Sequence, residues 1–285
     1  MEIQELEKIA SQVRRDILRM VHACQSGHPG GSLGCTELLV ALYFHQMDLK
    51  EKDGKVVFDM DGMGEDLFFL SNGHISPVWY SVLSRRGYFE TSEMATFRKI
   101  DSRLQGHPTT HEGLEGIRIA SGSLGQGMSV ALGAAMAKRL NGDDHHIYCL
   151  MGDGEQQEGQ VWEAAGFAPH HQVDKLIAFI DLNGQQIDGP TVKVMNNRDL
   201  GAKYAAFGWE VLHIEHGNDM AAVVKGLTEA KGKSGHGKPV MVLLETGMGY
   251  GVDFMMGSHK WHGVAPNDEQ LANALGQLEE TLGDY

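Results

Sequence analysis

Residues 146–183 read HIYCLMGDGEQQEGQVWEAAGFAPHHQVDKLIAFIDLN, and the architecture follows from this stretch. An apolar run ends at Met151 and meets Gly152-Asp153-Gly154. A segment of helical character follows, from about 157 to 167. A second apolar run, Leu176 to Asp181, stops just before Asn183. Two short apolar runs separated by one helix make a strand–helix–strand unit. Strands joined by such a crossover pair in parallel. Neither run alternates polar with apolar residues, so both are expected to be buried on both faces.

Outward from this unit the same alternation continues. Toward the C-terminus come a loop, a strand over 209–214, a helix over 220–231 and a strand over 240–245. Toward the N-terminus lie a short buried strand, Phe68-Phe69-Leu70, a Gly-rich stretch over 106–127 and a helix over 124–140. The chain opens with an amphipathic helix, because Ile3, Leu6, Ile9, Val13, Ile17 and Val21 fall at helical spacing. A loop, Ser26 to Gly31, and a second apolar helix over 32–44 come next. Residues 50–66 are charged and Gly-rich and read as an exposed connection. Residues 231–238 (KGKSGHGK) read as a polar surface turn. The expected fold is α/β, a parallel sheet with helices on both faces, in one domain over 1–285. Ligands in such sheets bind beyond the carboxyl ends of the strands.

Composition narrows the function. The formal net charge of −14 leaves no basic face for nonspecific nucleic-acid binding. A hydrophobic content of 42% suits a soluble globule. Cys24, Cys35 and Cys149 show no CxxC spacing and read as free thiols in a reducing compartment. The opening MEIQELEKIA has no basic region followed by an apolar run. No apolar stretch approaches the roughly 20 residues of a membrane span. A cytoplasmic location is expected.

The candidate ligand site starts at Gly152-Asp153-Gly154. Asn183 follows after 28 intervening residues, just past the next strand. Asp153 offers a carboxylate and Asn183 an amide oxygen, both hard donors suited to Mg²⁺ or Ca²⁺. Gly154 permits close approach of the backbone to a phosphate, and a helix N-terminus supplies free N–H groups. Either tripeptide alone is an ordinary turn signal; the pair at adjacent strand ends makes a metal and diphosphate site. The chain also holds 15 histidines. Four sit in short Gly-containing loops: His28, His74, His107 and His259. Converging near strand ends, such rings can move protons near neutral pH and hydrogen-bond sugar hydroxyls.

These motifs resemble the transketolase family. Gly152–Gly159 (GDGEQQEG) and Asp181–Thr191 (DLNGQQIDGPT) resemble its thiamin-diphosphate motif. SGHPGGSLG, FFLSNGH, SRLQGHP, SGSLGQG and GSHKWHG occur in the family's order. The resemblance spans essentially the whole chain and implies a thiamin-diphosphate-binding fold. It implies metal binding by Asp153, Asn183 and the Gln185 carbonyl, with Gly154 against the diphosphate and Ile187 near the thiazolium. Gly184, following Asn183, departs from the family's more usual polar residue. His28 and His259 are implied in proton transfer, with His259 also at the cofactor, His107 at a donor-sugar hydroxyl and His74 at the cofactor. Gly122 and Leu124 are implied at the aminopyrimidine. Glu158 matches a carboxylate near the family's subunit interface, and His262 reads as structural.

The implied activity is transfer of a two-carbon ketol unit from a ketose phosphate to an aldose phosphate. The family's pyrimidine-binding and C-terminal domains have no counterpart here, so the resemblance implies the N-terminal subunit of a split enzyme. The expected partner is a subunit carrying those two domains, in an α₂β₂ assembly. The rival readings are the α subunit of a 2-oxoacid dehydrogenase decarboxylating component, a split enzyme for a branched or sulfonated ketose, and a non-catalytic regulatory paralogue. The loops SGHPG, SNGH and GSHKWHG favour transketolase over the dehydrogenase.

Overall fold

A computed structural model describes residues 1–285. Its centre is a five-stranded sheet: β1 (Leu67–Leu70), β2 (Ile147–Gly152), β3 (Leu176–Leu182), β4 (Glu210–Ile214) and β5 (Val240–Glu245). The spatial order is β1-β2-β3-β5-β4, and every pairing is parallel. Residues 147–151 and 176–180 are fully buried, as their unbroken apolar sequence requires. β4 lies at the edge and is only partly covered. The register places Leu70 beside Leu150, Gly152 beside Asp181, and Leu182 beside Glu245. The carboxyl ends of β1, β2, β3 and β5 therefore come level at one edge.

Nine α-helices of six or more residues surround the sheet: α1 (Ile3–Ala23), α2 (Pro29–Gly34), α3 (Thr36–Ala41), α4 (Ser76–Arg86), α5 (Gln126–Leu140), α6 (Gly159–His170), α7 (Leu200–Phe207), α8 (Met220–Lys233) and α9 (Asp268–Gln277). α1, α3, α4 and α8 pack on one another as one group; α5, α6 and α7 form the other. The buried apolar side chains make one contiguous cluster. No helix is long and apolar enough to cross a membrane.

Three local expectations change. The helix expected over 32–44 is broken at Cys35 (φ −91°, ψ 9°) into α2 and α3, and ends in a π-type turn, Leu42–Gln46. The break sits where Gly34 presses on another segment: a Cβ there would stand 3.1 Å from the Gly247 carbonyl oxygen. The charged stretch 50–66 is exposed at first but ends in two buried carboxylates. Glu65 accepts from Arg118 Nη2 (2.6 Å) and Asp66 from the His146 N–H (2.7 Å). Finally, the loop expected between β3 and β4 contains α7. Asp199 caps its start by accepting from the Ala202 N–H, and Gly208 ends it at φ +104°.

Candidate active site

β2 delivers Asp153 and β3 delivers Asn183 to the same edge of the sheet. Asp153 is buried, its Oδ1 accepting from the Gly154 N–H (2.7 Å) and its Oδ2 from the Gly184 N–H (2.8 Å). Gly184 reaches it from a left-handed turn (φ +71°), which only glycine enters freely. That gives the departure at this position a physical role. Asn183 Nδ2 donates to Asp181 Oδ2 (2.6 Å), so its Oδ1 is the amide's acceptor face and takes the Gln185 N–H (2.9 Å). Asp181 is itself buried, and Thr246 Oγ1 donates to its other oxygen. Glu155, buried two residues past Asp153, accepts from Ser71 Oγ, the Gly125 N–H (2.6 Å) and the Gly152 N–H (2.9 Å). It thereby ties the end of β1, the loop before α5 and the end of β2 together. None of these three carboxylates is in an ion pair. Burial, and then the charge of Asp181, pushes the Asp153 carboxyl up to about 7; burial also raises Asp181 and Glu155.

Four imidazoles gather beside this cradle. His28 caps the start of α2, and His74 lies in a single turn after β1. His107 comes from the Gly-rich loop. The fourth is His262, at the end of the turn His259–His262. The ring centroids of His28 and His74 are 5.1 Å apart, those of His28 and His262 5.7 Å, those of His74 and His262 4.9 Å, and those of His28 and His107 6.1 Å. Gly122, at φ +130°, lies flat on His107; a Cβ would come within 2.9 Å of the ring. Burial drives every ring toward neutrality. His28 is lowered to about 4, by burial first and then by His262, Arg98 and His107. His74 falls well below its ordinary value, and His107 and His262 are lowered, all chiefly by burial. Neutral rings each present one donor and one acceptor nitrogen.

A cavity of about 200 Å³ opens between cradle and cluster. Asp153, Gly154, Asn183 and Gln185 line it, as do His74, Leu124 and Ile187. His28, His107 and Gly122 do not line it; His28 packs on His74 and His262, His107 on His28, and Gly122 on His107. Several buried polar atoms here have no partner within the chain: Asn72 Oδ1, Ser121 Oγ, and the Nδ1 atoms of His28 and His262. Buried polar atoms in folded proteins are nearly always paired, so this concentration marks a place built for a ligand.

Residues 6–281 match the family described as transketolase, thiamine diphosphate binding domain. The chain belongs to the transketolase family. It is an N-terminal, thiamin-diphosphate-binding part of that family, and the reading as a dehydrogenase α subunit is not favoured. It is 34% identical to one of the subunits of the apulose-4-phosphate transketolase of Phocaeicola vulgatus, over 99% of this chain and 96% of that one. It is 36% identical to a 6-deoxy-6-sulfo-D-fructose transketolase subunit of a Clostridium species, over 97% of each chain. Among solved structures, transketolase from Leishmania mexicana superposes with a TM-score of 0.86 at 30% identity, covering 98% of this chain and 42% of that one. The Campylobacter jejuni enzyme gives 0.85 at 33% identity, covering 97% and 43%. The chain thus spans less than half the length of the single-chain transketolases it matches.

Within this transketolase fold the residues suit the cofactor. An uncompensated, buried Asp153 calls for a cation, and Asn183 and the Gln185 carbonyl offer neutral oxygens beside it. The unpartnered Asn72 and Ser121 oxygens offer acceptors to a heteroaromatic ring. One expectation changes: the cavity is lined by His262 and not by His259. His259 lies on the same short turn but outside the ring cluster, and His262, read as structural, is the one that faces the cavity. Asp181 and Glu155 were also missed. Asp181 carried a usable signal, since residues i and i+2 of an extended chain share a face with Asn183.

Proposed function

We propose that this chain catalyses ketol transfer between sugar phosphates as the diphosphate-binding subunit of a split transketolase. Its partner carries the pyrimidine-binding and C-terminal domains, and the assembly is an α₂β₂ heterotetramer in the cytoplasm. The observation that carries the reading is the meeting, in one cavity, of an uncompensated hard-oxygen cradle and a cluster of neutral imidazoles. Relatives of the same length that are named as transketolase subunits support it. So do the exposed apolar residues around the cavity mouth. Ile187 lines the cavity, Met195 accepts from Gln157 Nε2 on its wall, and Val264 follows Gly263, which abuts His28 and Ile187. These side chains are 58%, 57% and 53% exposed and suit burial against a partner. Glu158, exposed at the same rim, is available to that partner.

Asp153, Asn183 and the Gln185 carbonyl would hold Mg²⁺ or Ca²⁺, with Gly154 against the diphosphate. His74, Leu124, Gly122 and Ile187 would shape the space for the rings. Bound there, thiamin diphosphate supplies the carbanion chemistry that opens the ketose between C2 and C3. The protein's own work is positioning and proton handling. His28 and His262, neutral and with free Nδ1 atoms, can take a hydroxyl proton from the donor and return it to the acceptor. His107 can bind the donor's C1 hydroxyl. Burial of the cluster excludes water that would compete for the two-carbon unit.

The test is donor choice by the chain assembled with its partner. Hydroxypyruvate offers the C1 hydroxyl and pyruvate a methyl group. An unpaired buried partner costs about 1–3 kcal/mol, or roughly 5- to 150-fold in kcat/KM. Hydroxypyruvate is expected to be preferred by that order, and His107→Ala to narrow the preference. A wild type that favours pyruvate overturns the reading. The same donor panel extended to branched and sulfonated ketoses identifies the natural sugar.

A further inference from the structure

After β3 the chain makes an excursion, residues 184–197, and both ends of it rest on Asp153. The Gly184 N–H donates to Asp153 Oδ2 (2.8 Å), and Asn197 Nδ2 donates to the Asp153 carbonyl (2.7 Å). Between these two ends, Gln157 Nε2, in the turn that follows Asp153, donates to Gln186 Oε1 (3.0 Å) and to the Met195 carbonyl (2.7 Å). Gly154 lets the excursion lie close, since a Cβ there would stand 3.3 Å from Gln186 Cβ. The inner side of the segment is therefore tied to the cradle by polar bonds alone.

Its outer side is apolar. Val192 and Val194, 64% and 42% exposed, join Ile187 and Met195 there, and no other nine consecutive residues expose more than two large apolar side chains. None of the four packs on the hydrophobic core. The segment's only charges, Asp188 and Lys193, cancel. Such a surface suits a protein partner. Position says which one. Ile187 also lines the cavity, so the body that covers the segment closes the cavity mouth. This chain spans less than half the length of single-chain transketolases, and the cover lies in the remainder.

We propose that residues 184–197 form a strap on which the partner subunit docks, and that Asn197 is the positioning residue through which docking tightens the Asp153 cradle. The inference rests on the split-enzyme reading above. Burying Ile187, Val192, Val194 and Met195 against the partner holds the strap where the Gly184 N–H meets the Asp153 carboxylate and the Asn197 amide meets its carbonyl. A carboxylate already held in place loses less freedom when it binds a cation and a diphosphate. Both events favour one conformation, so the effect is reciprocal: the factor that docking adds to ligand affinity, the ligand adds to docking. Rings that touched both subunits would couple them directly, so the strap's share is read with a ligand that has none.

The probe is inorganic pyrophosphate with Mg²⁺, followed by calorimetry on the full chain alone and on the chain assembled with its partner. Wild-type affinity is expected to rise about 5- to 150-fold on assembly, the usual range of coupling between two sites. In Asn197→Ala that rise is expected to shrink to about threefold or less. A merely structural Asn197 would lower stability and leave this ratio alone. Val192→Ser combined with Val194→Ser keeps the cradle's bonds. Alone it should bind the probe as wild type does, and it should need about tenfold more partner to assemble. A wild-type affinity that the partner does not change overturns the inference and leaves the cradle standing. Absence of probe binding in both states overturns the cradle reading and the inference with it. A full partner effect in Asn197→Ala removes Asn197 from its role. Should that variant fail to fold, wild-type partner affinity that Mg²⁺ and pyrophosphate leave unchanged overturns the coupling equally. A serine variant that assembles normally, or that loses self-association of this chain instead, overturns the docking assignment.

Discussion

Seven Asp and Glu side chains are buried, and location divides them. Away from the cavity, Asp16 pairs with Arg85 (2.8 Å), Glu37 with Arg14 (2.5 Å), Glu65 with Arg118 (2.6 Å) and Asp66 with Lys231 (3.6 Å). At the cavity, Asp153, Glu155 and Asp181 have only neutral donors. The cleft at the opposite edge of the sheet, about 470 Å³, is larger than the cavity at Asp153, yet its Lys138 is spent on Asp143 (2.5 Å). Size therefore does not mark the functional cavity; uncompensated charge does. The chain supplies its own counter-ions wherever structure alone is at stake and withholds them where a ligand brings charge of its own.

The comparison can be broken most forcefully on its paired side. Asp16→Asn leaves Arg85 buried against a neutral amide. The expected loss is about 3–5 kcal/mol of unfolding free energy, measured by urea denaturation. A loss under about 1 kcal/mol would mean the internal pairs carry little energy and the contrast is one of geometry only. Next in size is Asp153→Ala in the assembled enzyme. Removing a charged ligand should weaken metal-dependent cofactor binding by more than the roughly 10–100-fold that losing an outer-shell partner costs. Calorimetry with thiamin diphosphate and Mg²⁺ reads this directly, and unchanged affinity would remove Asp153 from the metal. Asn183→Ala should act in the same direction but less, because only a dipole is lost.

The smallest effect sharpens the comparison through pH. Asp153 has its carboxyl raised in the folded chain, from 3.8 to about 7. A raised group contributes stability that is fully present below the unfolded value and lost as pH rises through the folded one. The metal-free chain should therefore lose stability between about pH 4 and pH 7, and Mg²⁺ with cofactor should flatten that slope. Asp153→Asn should flatten it too, because an amide does not titrate, with its gain over wild type appearing only as pH rises above about 4. Urea midpoints at pH 5 and 7.5 decide it: a wild-type slope unaltered by the substitution assigns the pH dependence to another group.

Much of this was legible in the sequence, for local reasons. Unbroken apolar runs such as Leu176–Ile180 are buried strands, and Asp153 and Asn183 sit at their ends because a strand's last residues must emerge there. What was not legible depends on contacts between distant segments. Nothing in GSHKWHG says which histidine turns inward. That is decided by Gly30, so close to the Trp261 carbonyl that a Cβ would stand 2.7 Å from it, and by Trp261 Nε1 donating to the Phe254 carbonyl (2.9 Å). These contacts seat the turn with His262 against His28. The break at Cys35 has the same origin, in Gly34 against Gly247.

The cluster's rings come from positions 28, 74, 107 and 262, and that spread bears on how the chain acquires its site. Local helices such as α1 can form early, whereas contacts between residues so far apart wait on loop closure. During synthesis the first three rings emerge long before the fourth. An elongating chain thus has a nearly complete sheet before it has a complete site.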